Sequence, residues 1–217
     1  VPVPPEKRFL INSFVAVSLA LLLSLLPPVM ADSTCRVVMQ GELTTNYYES
    51  LASAIRAIGS SSGVITMIAD DVLLATNLAQ RVDVTGTVTV VSDGGDHTIT
   101  RGAIGVYTNY SMLYVGRFNN DSNAVLNLGA PGMSGTLTFD GGSFLNIGSS
   151  IILCYRGTLN LYDGVTLKNN ITEYGGGGVY NEGLFNMYGG LIVSNTAYGS
   201  GGAVQNAGYY GQPAVFN

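Results

Sequence analysis

GTLTFDGGSFLN at 135–146, GTLNLYDGVTLKN at 157–169 and GLFNMYGGLIVSN at 183–195 are one phrase written three times. A second phrase recurs as GGGVYNEG from Gly176 and GGAVQNAG from Gly201. The opening glycines step by 22 and then 26 residues, and Asn181 to Asn206 is a step of 25. Self-similarity at such a period predicts stacked repeats, each covering the open face of its neighbour.

Residue order within the phrase predicts what stacks. Apolar and polar residues alternate, so Leu137, Phe139, Leu159, Leu161, Phe185 and Met187 are expected to face inward. Thr138, Asn160 and Asn186 are expected outward, the period of two of a strand. The runs are short and close on Asp-Gly or Gly-Gly, which accept the tight backbone of a turn. No window offers ten residues at helical spacing. A helical array or a leucine-rich repeat with a helix per unit is therefore disfavoured. Coils of about 22–26 residues built from short strands predict an all-β chain, a right-handed parallel β-helix with like residues stacked at roughly 4.8 Å.

GGGV and GGAV, each followed by Asn and then Gly, with apolar strands ending in Asn169-Asn170 or Ser194-Asn195, resemble the repeats of bacterial surface β-helix proteins. Polymorphic outer membrane proteins and related adhesin-like members of the pectin-lyase-like superfold carry such repeats. The resemblance covers 135–217 most closely and extends loosely back to Tyr47. Where the polymorphic pattern asks for Phe-x-x-Asn, this chain reads Ile192-x-x-Asn195 and Thr166-x-x-Asn169. It implies a surface or secreted location and an N-terminal helix capping the first coil.

Composition agrees with such a chain. Charged residues are 11% and 29 of the 217 residues are Gly, against about 25% charged in ordinary globular proteins. Low charge with high apolar content excludes disorder. The net charge of −5 leaves no basic patch for phosphate backbones, so nucleic acid is not an expected partner. Cys35 and Cys154 are the two cysteines. Cys154 inside SIILCYRG reads as a small buried apolar residue, and a disulfide to Cys35 would require the N-terminal segment to lie along that coil. No lipobox precedes Cys35, so no lipid anchor is expected there.

In chain order, Lys7 and Arg8 precede an apolar run from Phe14 to Leu26, and Val29-Met30-Ala31 completes a secretory signal over 1–31. A retained membrane anchor is the alternative, for which the apolar run is short. The opening VPVPPE and the absent initiator Met suggest an imperfect boundary. Residues 32–62 are expected to hold the N-terminal segment and a helix over Asn46–Ile58. Asn46 and Glu49 would form its capping box, and Gly59 its C-cap. From Gly63 to Asn217 the β-helix is expected. Its strands fall at Val64–Ala69, Val72–Leu74, Val82–Val84, Thr87–Val91, His97–Thr100 and Ala124–Leu128, with a less regular stretch at 104–123. Residues 214–217 restart the repeated strand, so a longer natural protein is expected, with any C-terminal cap, anchor or translocator beyond.

The chemistry expected is sparse. Aligning the phrases puts Asp140, Tyr162 and Tyr188 in one outward column beside Thr138, Asn160 and Asn186. That face would hold one carboxylate and no cation, whereas acid–base cleavage of a polysaccharide needs paired groups. Asp70 and Asp71 would point to opposite faces of a strand. Asp93 and Asp96 flank a glycine turn beside His97 and read as a solvated turn. Asn181 over Asn206 and Asn169 over Asn195 read as ladders that satisfy turn backbone groups. Asn109-Tyr110-Ser111, Asn120-Asp121-Ser122 and Asn170-Ile171-Thr172 match the glycosylation triplet, meaningful only in a glycosylating host.

No metal site, cofactor or enzymatic activity is expected. The function anticipated is a non-catalytic cell-surface or secreted protein, an adhesin-like stalk. It would bind a glycan or a host or neighbouring-cell surface protein through Asn160, Tyr162, Asn186, Tyr188 and Asp140. The membrane would be met only through the signal segment or a C-terminal anchor. The alternative is a polysaccharide lyase or glycoside hydrolase whose catalytic coils lie outside this chain.

Overall fold

Burial alternates along the longer strands, such as Ser62–Met67, Thr87–Ser92 and Thr136–Asp140. A computed structural model describes residues 32–74, 80–102, 110–116, 123–144, 149–208 and 213–217. The secretory signal expected over 1–31, Asn109, Asn120 and most of 104–123 lie outside the described residues.

The chain opens with a hairpin of β1 (Cys35–Met39) and β2 (Thr45–Tyr48), then the helix α1 (Leu51–Ile58). It next lays down β3 (Ser62–Met67), β4 (Asp71–Leu73) and β5 (Asp83–Val84). A second round gives β6 (Thr87–Ser92), β7 (Asp96–Arg101) and β8 (Leu113–Val115). A third gives β9 (Val125–Leu128), β10 (Thr136–Asp140) and β11 (Ile152–Cys154). The fourth adds β12 (Thr158–Leu161), β13 (Val165–Lys168), a short β14 (Ile171–Thr172) and β15 (Val179–Asn181). The fifth adds β16 (Leu184–Met187), β17 (Leu191–Val193), β18 (Thr196–Ala197) and β19 (Val204–Asn206), and β20 (Val215–Phe216) follows.

Each round contributes one strand to each of three sheets. The first sheet runs β3-β6-β9-β12-β16-β20, the second β4-β7-β10-β13-β17 and the third β5-β8-β11-β15-β19; β14 pairs with β18. Every pairing in these series is parallel. The described chain is thus mostly β, with parallel sheets and one helix.

Like residues stack along each sheet. Val88, Leu126, Leu159 and Phe185 are in register in the first sheet, as are Val90, Leu128 and Leu161. All seven are fully buried, as are Leu137 and Phe139 in the second sheet. Met187 is half-buried against the same core. Each buried Leu, Val or Phe contributes about 1.5–3 kcal/mol of transfer free energy. A small residue precedes most first-sheet strands because successive backbones approach closely there. A Cβ on Gly183 would lie 2.5 Å from the Gly157 carbonyl oxygen.

The repeat step falls within the expected 22–26 for some pairs, such as Ser62 with Thr87, Thr166 with Leu191 and Val179 with Val204, and exceeds it for others. Along the first sheet, successive strands pair residues 25 apart at β3–β6, and the side-chain contacts that follow span 38, 33, 26 and 31 residues. The 22-residue step joins unlike positions, since Gly157 precedes a first-sheet strand and Gly135 a second-sheet strand. Alternation encodes inside and outside but not which sheet a strand joins.

The helix also begins later than expected. Asn46 lies in β2, opposite Val37 of β1, because the aromatic Tyr47-Tyr48 favours a strand. Ser50 is the N-cap and forms a capping box with Ser53, and Gly59 closes the C-terminus at φ 58°. Leu51, Ala54, Ile55 and Ile58 are buried against the core. Antiparallel pairing of β1 with β3 covers the leading edge of the first sheet.

Candidate binding face

The outer surface of the first sheet carries a continuous amide ladder. Asn127 donates through Nδ2 to Thr89 Oγ1 at 3.0 Å, and Asn160 to Asn127 Oδ1 at 2.7 Å. Asn186 donates to Asn160 Oδ1 at 2.8 Å, and Asn217 to Asn186 Oδ1 at 2.9 Å. Strand register places these side chains on one line, since Thr89, Asn127, Asn160 and Asn186 are direct partners. Each of the three middle asparagines spends one N–H and one lone pair on its neighbours. An Asn amide has two of each, so one N–H and one lone pair per rung remain for other partners.

The aromatic pair expected beside the ladder is present. Tyr162 and Tyr188 stack with centroids 5.1 Å apart at 23°, and Tyr188 is 63% exposed. Their facing surfaces are occupied by each other. At the leading end of the same sheet, Val38, Val64, Thr87 and Thr89 line a groove of about 380 Å³ bounded by Gln40–Glu42. Thr89 belongs to both features. The sequence reading found Asn160 and Asn186 but missed Thr89, Asn127 and Asn217. The missed signal was Leu126-Asn127-Leu128, the same triplet as Leu159-Asn160-Leu161.

Asp140 does not belong to this face. Its strand β10 pairs with β7 and β13 in the second sheet, and Asp140 stands opposite Lys168. The carboxylate lies 3.6 Å from Lys168 Nζ and accepts from Asn169 Nδ2 at 3.0 Å. The expectation of a lone carboxylate without a cation is therefore wrong. It followed from aligning Asp140 with Tyr162.

Two asparagine ladders were anticipated near the turns. Asn181 and Asn206 are in register, and Asn181 Nδ2 donates to Asn206 Oδ1 at 2.6 Å. Asn181 also accepts from the Gly183 N–H. In the second ladder the partner of Asn195 is Asn170 rather than Asn169: the Asn170 N–H donates to Asn195 Oδ1 at 3.0 Å. Asn169 instead adopts φ 57° at the strand end. Asn170 is fully buried and donates through Nδ2 to the carbonyls of Ser149 and Gly177. Its place in a glycosylation triplet is thus sterically closed in the folded chain.

Asp70, Asp71 and Asp93 each hold a backbone N–H, and Asp96 accepts from Thr136 Oγ1 at 2.8 Å. Asp70 accepts from the Thr98 N–H in the next round, and Asp71 from the Leu51 N–H at the start of α1. Asp70 is exposed ahead of β4, and Asp71 is buried as its first residue. Asp93 accepts from Gly95 N–H and contacts His97 Nε2 at 2.8 Å. The His97 hydrogen bond first, and the Gly95 amide second, hold its carboxyl below the usual range. Cys35 and Cys154 are buried unpaired thiols, and burial pushes each up to about 12. Among the described residues no three His, Cys, Asp or Glu side chains gather as a metal site. No described helix is long and apolar enough to cross a membrane.

No protein-family model, curated protein or solved structure matches the chain. The fold and the geometry above are therefore the ground for its function.

Proposed function

We propose that this chain is a right-handed parallel β-helix that acts as a non-catalytic cell-surface or secreted binding protein. Its ligand is an extended, uncharged glycan laid along the first sheet. The recurring visit to three parallel sheets supports the architecture, and parallel crossovers are right-handed in nearly all known cases. The observation that carries the function is the ladder Thr89–Asn127–Asn160–Asn186–Asn217 beside Tyr162 and Tyr188. Amides with spare donors and acceptors suit hydroxyl groups, and a ring edge with a phenol suits the apolar face of a sugar. Rungs repeating at roughly 4.8 Å make many weak contacts additive along an extended chain.

A catalytic reading has one observation in its favour, the Asp140–Lys168 pair. The carboxylate and the ammonium lie 3.6 Å apart, with the Lys168 side chain 37% exposed. General acid–base cleavage requires one partner to carry a transferable proton near neutral pH. The test is a panel of neutral and acidic glycans, scored both for retention and for cleavage. Retention of a neutral glycan, weakened by Asn160→Ala with Asn186→Ala, is expected. Release of reducing ends or unsaturated products, abolished by Asp140→Asn, would overturn the proposal.

A further inference from the structure

Arg101 is the largest fully buried side chain, 1% exposed, at the end of β7. Its guanidinium donates through Nη1 to the Tyr110 carbonyl at 2.8 Å. Through Nη2 it donates to the Ser150 carbonyl at 3.0 Å and Asn170 Oδ1 at 3.2 Å. Every one of these acceptors is uncharged. Three of the five N–H donors are used in this way, and Nε–H finds no acceptor among the described residues. Burial lowers this arginine only to about 10, so it is a cation at neutral pH.

A buried charge without a counter-charge costs several kcal/mol, and proteins meet that cost with a partner of opposite sign. The carboxylates on the strands paired with β7 are engaged elsewhere: Asp71 accepts from the Leu51 and Val72 N–H groups, and Asp140 from Gly142 N–H and Asn169 Nδ2. No Asp or Glu occurs at 97–120, 141–162 or 164–172, the stretches that carry Arg101, Tyr110, Ser149, Ser150 and Asn170. Beside the carbonyls that hold the guanidinium lies a cluster of buried hydroxyls. Ser111 Oγ is 2.6 Å from Ser149 Oγ and 3.1 Å from Ser150 Oγ, and all three residues are buried. Serine hydroxyls rotate to donate toward an anion.

We infer that Arg101 holds a small monovalent inorganic anion of chloride size inside the fold, on its Nε–H, with the serine hydroxyls as further donors. The anion neutralises the buried cation and makes the native state dependent on halide. A water molecule could satisfy Nε–H but would leave the charge uncompensated.

The test uses the whole chain and chloride itself. The ³⁵Cl NMR line of a chloride solution should broaden with the protein, and bromide should reverse it by competition. Arg101→Met should abolish the broadening, while Lys168→Met, which removes a surface cation, should preserve it. Equal broadening by wild type and Arg101→Met, or none by wild type, would overturn the inference. Should the arginine variant fail to fold, the wild type alone remains decisive. Its unfolding midpoint must lie several degrees higher in chloride than in gluconate at equal ionic strength, and equal midpoints would refute the site.

Discussion

Asp140 and Lys168 face each other across the second sheet at 3.6 Å, directly in register on β10 and β13. Lys168 is 37% exposed at its side chain, so solvent screens the pair and its net worth is small. Lys168→Met is expected to lower stability by about 0.5 kcal/mol at low salt. Urea unfolding at low salt and at roughly 1 M salt checks this, since the Debye length falls to about 3 Å there. A loss that persists undiminished at high salt would show the pair to be more than a surface contact.

Leu159 and Asn160 are neighbours with opposite surroundings. Leu159 is fully buried between Leu126 and Phe185, and Leu159→Asp is expected to cost at least about 3 kcal/mol. Asn160→Asp removes the N–H donated to Asn127 and sets carboxylate against carbonyl, costing about 1 kcal/mol. That exceeds the loss typical of an ordinary outward residue, because the rung is part of a ladder. Urea midpoints ranking Asn160→Asp at or above Leu159→Asp would invalidate the inside–outside assignment.

The start of α1 rests on two side chains from different parts of the chain. Ser50→Ala removes the N-cap and should cost about 1 kcal/mol. Asp71→Ala leaves the buried Leu51 N–H without its acceptor and should cost about 2 kcal/mol. Asn46→Ala should stay within about 0.5 kcal/mol, since Asn46 lies in β2 rather than at the cap. Thermal unfolding of the three variants gives the order directly.

The two thiols predict an alkaline instability. Burial raises Cys35 and Cys154 from 9.0 to about 12, so folding favours the protonated form. Their contribution is therefore fully present below pH 9 and is lost as pH rises from about 9 toward 12. Tyrosines titrate in the same window, so the slope must be compared with the Cys35→Ala, Cys154→Ala double variant, which should decline less steeply. The native thiols should also resist iodoacetamide at pH 8 and react once the chain is unfolded.

Much of this architecture is written locally. Alternation of apolar and polar residues placed Leu137, Phe139, Leu159, Leu161 and Phe185 inside, since a strand sends successive side chains to opposite faces. Asp-Gly and Gly-Gly marked the turns, and Leu51, Ile55, Ile58 and Gly59 marked most of a helix. Arg101 shares strand parity with Ile99, so its inward position was legible and was overlooked. What only the tertiary structure decided is which strand meets which. Three sheets read alike in a period of two, and the rounds differ in length, so spacing could not tell a first-sheet strand from a second-sheet one. Pairing between residues 25 to 38 apart made that choice on the first sheet, joining Asn127 to Asn160, and pairing on the second sheet sent Asp140 to Lys168 instead of Tyr162.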